Sequence, residues 1–152
     1  MDGLRGLDGL WKDVQIIATP EHIGVREGRR IAGRYTVTAA DLAAGTRHPD
    51  AVCEVRFPVD VHSTDPSKTK GIAPKKVRAK PYCIPYRSLV ARDVDGLLLA
   101  GRCISGDFIA HSSYRVTGDA VPMGDAAGAA AALAASGNTM PHDLRWSEIL
   151  DA

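Results

Sequence analysis

Residues 96–105 read GLLLAGRCIS, an apolar run set between glycines that turns polar at Arg102 and Cys103. A run this short and apolar predicts a buried strand that stops abruptly at Ala100 and Gly101. Downstream, residues 124–137 read GDAAGAAAALAASG, almost all glycine and alanine. Alanine is the best helix former and Gly137 a natural stop, so a helix opening at Gly124 and Gly128 is expected. A glycine-rich strand end facing a helix N-terminus can hold an anionic or carbonyl-bearing ligand, because the first turn carries unpaired N–H groups and partial positive charge. Tight strand–helix packing without a ligand would leave the same pattern, and on these residues alone both readings stand.

Composition limits the alternatives. The chain has 152 residues, enough for one ordinary core. Its 45% apolar and 24% charged residues are those of a folded, water-soluble chain. A net charge of +1 and only 5% aromatic residues argue against a nucleic-acid surface, with no general field and few stacking platforms. The longest apolar run is too short and too rich in alanine to span a bilayer, and the first residues, MDGLRGLDGL, lack a signal-peptide core. A cytoplasmic protein that engages neither membrane nor nucleic acid is expected. Cys53, Cys83 and Cys103 are odd in number, and no C-x-x-C pair occurs. That argues against a disulfide framework and against a metal site, leaving reduced, packed thiols.

Elsewhere, VQIIAT (14–19) reads as a strand ending at Pro20. In VREGRRIAGRYTVT (25–38), Ile31, Tyr35 and Val37 alternate with Arg30, Ala32, Arg34 and Thr36, the period of a half-buried strand. Thr38, Asp41 and Gly45 frame a short helix with a capping-box start. VRFPVDVH (55–62) alternates again, with Pro58 suited to an edge. Residues 63–81 are rich in lysine and proline and predict a long exposed loop, a solvated insertion or a docking element for an acidic partner. YCIPYRSLVA (82–91) is a strand candidate broken at Pro85, and the tail from Met140 predicts one more short helix or turn.

Taken in order, GVREGRRIAGRYTVTAADL, FPVDVH, IPYRSLV, LLLAGRCIS, SSYRV and MGDAAGAAAALA resemble the C-terminal part of a family of FAD-dependent oxidoreductases related in fold to the fumarate reductase and succinate dehydrogenase flavoproteins. The resemblance runs from about Val14 to the end. It implies a mixed α/β fold, the C-terminal portion of a Rossmann-like FAD/NAD(P)-binding flavoprotein with part of its cap. Residues 1–92 would belong to the substrate or cap region, and 93–152 would supply the strand and helix that return to the FAD domain. It further implies that Ala100, Gly101 and Arg102 pass beside the cofactor. Gly124, Asp125, Ala126, Ala127 and Gly128 would then stand at the helix N-terminus that faces the flavin carbonyl, where the dipole stabilises charge on the reduced ring.

Such flavoproteins hold the FAD pyrophosphate on a strand followed by G-x-G-x-x-G. That fingerprint is not among these residues. FAD would therefore be shared with a missing N-terminal half. Either a separate polypeptide supplies it, or the chain is a truncated remnant, inactive by itself, that self-associates or serves as an interaction domain without cofactor.

Within the implied pocket, Arg115 is the leading catalytic candidate, a cation to fix the carboxylate or carbonyl of a small-molecule substrate. His111 is second, as a proton donor or an ordinary loop histidine. With Ser113 they would share one face of an extended segment. Asp60 and His62 could form a proton-handling pair or be plain neighbours. Arg26, Arg29, Arg30 and Arg87 could reach the pocket or pair locally, and Tyr86 could stack near a flavin. Cys103 reads as a small packed residue, since no base or helix start adjoins it.

Overall fold

Thr38 begins the element that the sequence specifies most completely. Its side chain accepts from the Asp41 N–H, and the Asp41 carboxylate accepts from the Thr38 N–H at 2.8 Å. Gly45 ends the helix with φ +72, a left-handed conformation that glycine adopts without a Cβ penalty. The computed structural model that contains it describes residues 2–7, 9–22, 24–62 and 77–152. In chain order the elements are α1 (Asp2–Arg5), α2 (Ala39–Ala44), β1 (Ala51–Val55), β2 (Tyr82–Pro85), α3 (Phe108–Tyr114), α4 (Thr117–Gly137) and α5 (Trp146–Leu150). Short 3-10 turns occupy Gly9–Trp11, Tyr86–Ser88, Gly101–Cys103 and Pro141–Asp143.

The two strands pair antiparallel, Val55 opposite Tyr82 and Glu54 opposite Cys83, with an irregularity between Ala51 and Cys53. β2 ends at Pro85, as its missing N–H requires. Residues 31–37 keep their predicted facing, with Val37 buried, Ile31 and Tyr35 half-buried and Ala32, Arg34 and Thr36 exposed, whereas Arg30, expected on the exposed side, is half-buried like Ile31. They form no continuous ladder. Instead they thread between two segments, through Arg34 N–H to Val90 O and Val37 N–H to Ser105 O. The LLLA segment is likewise shorter than a strand, held by the single Val90–Leu98 bridge.

The core joins both ends of the sequence. Val37, Leu42, Val55, Tyr82, Ile84 and Leu89 pack with Ile104, Ala110, Tyr114 and Met123. A second cluster sets Tyr86 and Val90 against Ala130 of α4 and Ile149 of α5. Asp107 ties two helices together. Its Oδ1 accepts from Ala110 N–H at the start of α3, and its Oδ2 from Ala39 N–H at the start of α2, each at 2.7 Å.

Four expectations are corrected. VQIIAT is no strand: Ile17 is 97% exposed, and the only backbone–backbone bond from the segment among the described residues is the local turn from Val14 N–H to Trp11 O. VRFPVDVH forms no strand either, because pairing with β2 selects the preceding AVCEV. Residues 108–114 are helical rather than extended, since Asp107 caps them. The alanine-rich helix begins at Thr117, not Gly124; Pro122 lies inside it and forgoes one bond, to the Gly118 carbonyl. Most of the predicted basic loop, residues 63–76, lies outside the described residues.

Candidate functional site

The turn Gly101–Cys103 packs against both α3 and α4. Ala100 is extended and Gly101 swings to φ +69. A Cβ on Gly101 would stand 3.3 Å from the Cβ of Ala120 in α4. The strand end and the helix therefore approach closely, as the sequence anticipates, but at the first turns of α4. Val116, the N-cap, contributes no side-chain acceptor there. The exposed Thr117 and Gly118 keep N–H groups with no acceptor among the described residues. A helix of 21 residues places partial positive charge at this end.

Gly124, Asp125, Ala126, Ala127 and Gly128 lie in the interior of α4, where their N–H groups belong to the helix. Ala126 is buried and Ala127 half-buried, whereas Gly124, Asp125 and Gly128 are exposed. Asp125, Ala126 and Gly128 line a groove of about 670 Å³ shared with Trp146 and Leu150 of α5.

α3 brings His111 and Arg115 to one side, one helical turn apart, with Arg115 N–H donating to His111 O at 3.2 Å. The His111 ring is fully buried, and neither nitrogen has a hydrogen-bond partner among the described residues. Glu27 Oε1 lies 3.6 Å from Nδ1, too far for a bond. Burial lowers the His111 pKa and the Arg30 charge lowers it further, against the opposing effect of Glu27. At neutral pH the imidazole is uncharged. The Arg115 guanidinium, only 6% exposed, donates to Asp60 O at 2.6 Å and lies 3.6 Å from Asp60 Oδ2. His62 Nε2 is 2.9 Å from the same Oδ2. Arg26, Glu27, Asp60, His62, Ser112 and Arg115 surround a recess of about 30 Å³, room for one water. Ser113 is turned elsewhere: its Oγ donates to Phe57 O and accepts from Tyr82.

Other candidates are committed locally. Arg102 donates to Val25 O at 2.8 Å. Arg87 forks onto Asp50 and lies over the Tyr35 ring. Tyr86 is buried, stacked on Trp146 and bonded to Pro141 O, so it cannot present its ring to a flavin. Cys53 and Cys83 are half-buried and buried, and burial pushes the Cys53 thiol up to about 12. Cys103, expected to be packed, is exposed, because the turn points it outward after Arg102. No group of three His, Cys, Asp or Glu side chains among the described residues is placed to hold a metal ion. No helix among them is long and apolar enough to cross a membrane.

One residue escaped the sequence reading. Asp119, in the first turn of α4, has a buried Oδ2 without a partner, and desolvation raises its pKa to about 6. An acid in a first helical turn is a recognised start signal, but the sequence places the helix start at Gly124, beyond Asp119.

A family model described as FAD dependent oxidoreductase matches residues 4–152. The chain belongs to that family. No curated protein and no solved structure matches it. Membership suggests FAD use. Among the described residues, the exposed start of α4 offers two unpaired N–H donors with a glycine turn beside them, while the His111 imidazole is buried away from the surface.

Proposed function

We propose that this chain forms the flavin-facing wall of an oxidoreductase allied to the fumarate reductase and succinate dehydrogenase flavoproteins. FAD is then held jointly with a dinucleotide-binding half bearing G-x-G-x-x-G, which is not among these 152 residues. The close approach of Gly101 to Ala120, beside the uncapped start of α4, carries this reading. Ala100, Gly101 and Arg102 form one side of the ring site, and the Thr117 and Gly118 N–H groups replace Gly124–Gly128 as the donors of the other side. Gly124, Asp125 and Gly128 form an exposed face on which the dinucleotide-binding half packs, beside the groove that Asp125 and Gly128 share with α5, with Ala126 and Ala127 beneath. When bound, the flavin accepts or gives a hydride. Arg115, anchored on Asp60 O, lends positive charge toward a carbonyl- or carboxylate-bearing small molecule, and His111 keeps an uncharged imidazole buried one helical turn behind it.

Titrating FAD into the chain, alone and mixed with a G-x-G-x-x-G half from the same family, tests the proposal. Flavin fluorescence is expected to change only in the mixture, and the change should be lost in Gly101→Val. No change in either condition overturns it. A second reading, a non-catalytic interaction segment of the same fold, draws on Val121, 66% exposed on the outer side of α4. It predicts association with the partner half, or with itself, that FAD does not alter.

A further inference from the structure

A separate cavity of about 350 Å³ contains none of the residues assigned to the flavin wall. Its apolar side includes Val90, Leu144 and the indole of Trp146. That indole is held in place: it stacks on Tyr86 with ring centres 5.8 Å apart, and Tyr86 Oη donates to Pro141 O at 2.8 Å. The polar side holds two arginines of different standing. Arg87 forks onto both Asp50 oxygens at 2.9 and 3.2 Å, so its charge is balanced. Arg34 has its backbone N–H fixed to Val90 O, yet its guanidinium makes no hydrogen bond or ion pair among the described residues. His142 also lines the cavity, between Asp95 at 3.9 Å and Asp143 at 3.7 Å, so negative charge surrounds that edge.

We propose that this cavity is a second small-molecule site, which takes an aromatic carboxylate. Its volume falls within the range of small-ligand pockets. A rigid indole favours an aromatic ring in offset or edge contact. One uncommitted guanidinium matches one carboxylate, as a two-pronged donor. A polyphosphate would need further free cations, and a cationic ligand would meet Arg34.

The test is calorimetric titration of the chain with naphthoate, with uncharged naphthylmethanol as the control. Saturable binding of naphthoate at one site per chain is expected, with at least tenfold weaker binding of naphthylmethanol, about 1.4 kcal/mol. Arg34→Gln, at an exposed side chain, should keep the circular dichroism spectrum and lose a similar factor. Trp146→Leu should weaken both probes. Naphthoate should bind with the same affinity in the chain mixed with the G-x-G-x-x-G half and FAD, which separates this site from the flavin wall. No saturable naphthoate binding, or equal affinity in the parent chain and Arg34→Gln, overturns the proposal.

Discussion

Gly101 and Ala120 meet where the LLLA segment runs into α4: a Cβ at Gly101 would lie 3.3 Å from that of Ala120, on a backbone with φ +69. Both the backbone conformation and the contact disfavour a side chain. Gly101→Ala should therefore lower unfolding stability by about 1–2 kcal/mol, seen as a shifted denaturant midpoint. An unchanged midpoint would mean that the turn relaxes without glycine.

His111 should make the fold acid-sensitive. Its folded pKa lies below the ordinary histidine value because burial opposes the charge. As pH falls below about 6.5, the unfolded chain binds a proton there that the folded chain still refuses. Stability is therefore full above that pH and declines as pH falls through the depressed folded value. In His111→Phe this part of the pH profile should flatten, as read by urea unfolding across pH 5–7.

Asp119 should act in the opposite sense. The folded chain keeps its proton up to about pH 6, while an unfolded aspartate releases it near 3.9. Stability falls as pH rises through that window. Asp119→Asn should raise stability at pH 7 by about 1–2 kcal/mol and have little effect near pH 4. A destabilised Asp119→Asn at neutral pH would indicate that the carboxylate is needed at the start of α4.

The α4 glycines offer a test with two readouts. Gly124 and Gly128 have no neighbour within 4 Å of a built Cβ, and both lie in the interior of the helix. Gly→Ala at each should stabilise the chain by about 0.5–1 kcal/mol, because alanine restricts the unfolded backbone and favours the helix. The double variant should melt higher yet bind the dinucleotide-binding half more weakly. Unimpaired binding would show that this face stays clear of the partner.

Legibility in the sequence followed the range of the forces involved. The helix from Ala39 was readable because Thr38, Asp41 and Gly45 act within a few residues of one another. The facing of residues 31–37 was readable because alternation survives without a ladder. Strand choice was not, since Val55 is fixed opposite Tyr82 by a partner distant in sequence. α3 was missed because its serines favour turns as readily as helices, and the decisive cue was the preceding Asp107. In the candidate site, His111 and Arg115 were named from sequence. Their proximity, though, comes from a helical turn and not from alternate positions on a strand. The buried nitrogens of His111 and the buried acid at Asp119 depend on packing that no local pattern reveals.

The single carboxylate of Asp107 joins Ala110 and Ala39, 68 residues away from the latter. Neither α2 nor α3 is long enough to persist as an isolated helix. Their own caps are local, but the bond from Ala39 N–H to Asp107 that joins them forms only once a large loop has closed, and closing it costs entropy before any contact is returned. The order of events in folding is thereby constrained: the two short helices should consolidate together and late, after collapse has brought residues 38 and 107 within reach. Removing that carboxylate should speed unfolding more than it slows folding.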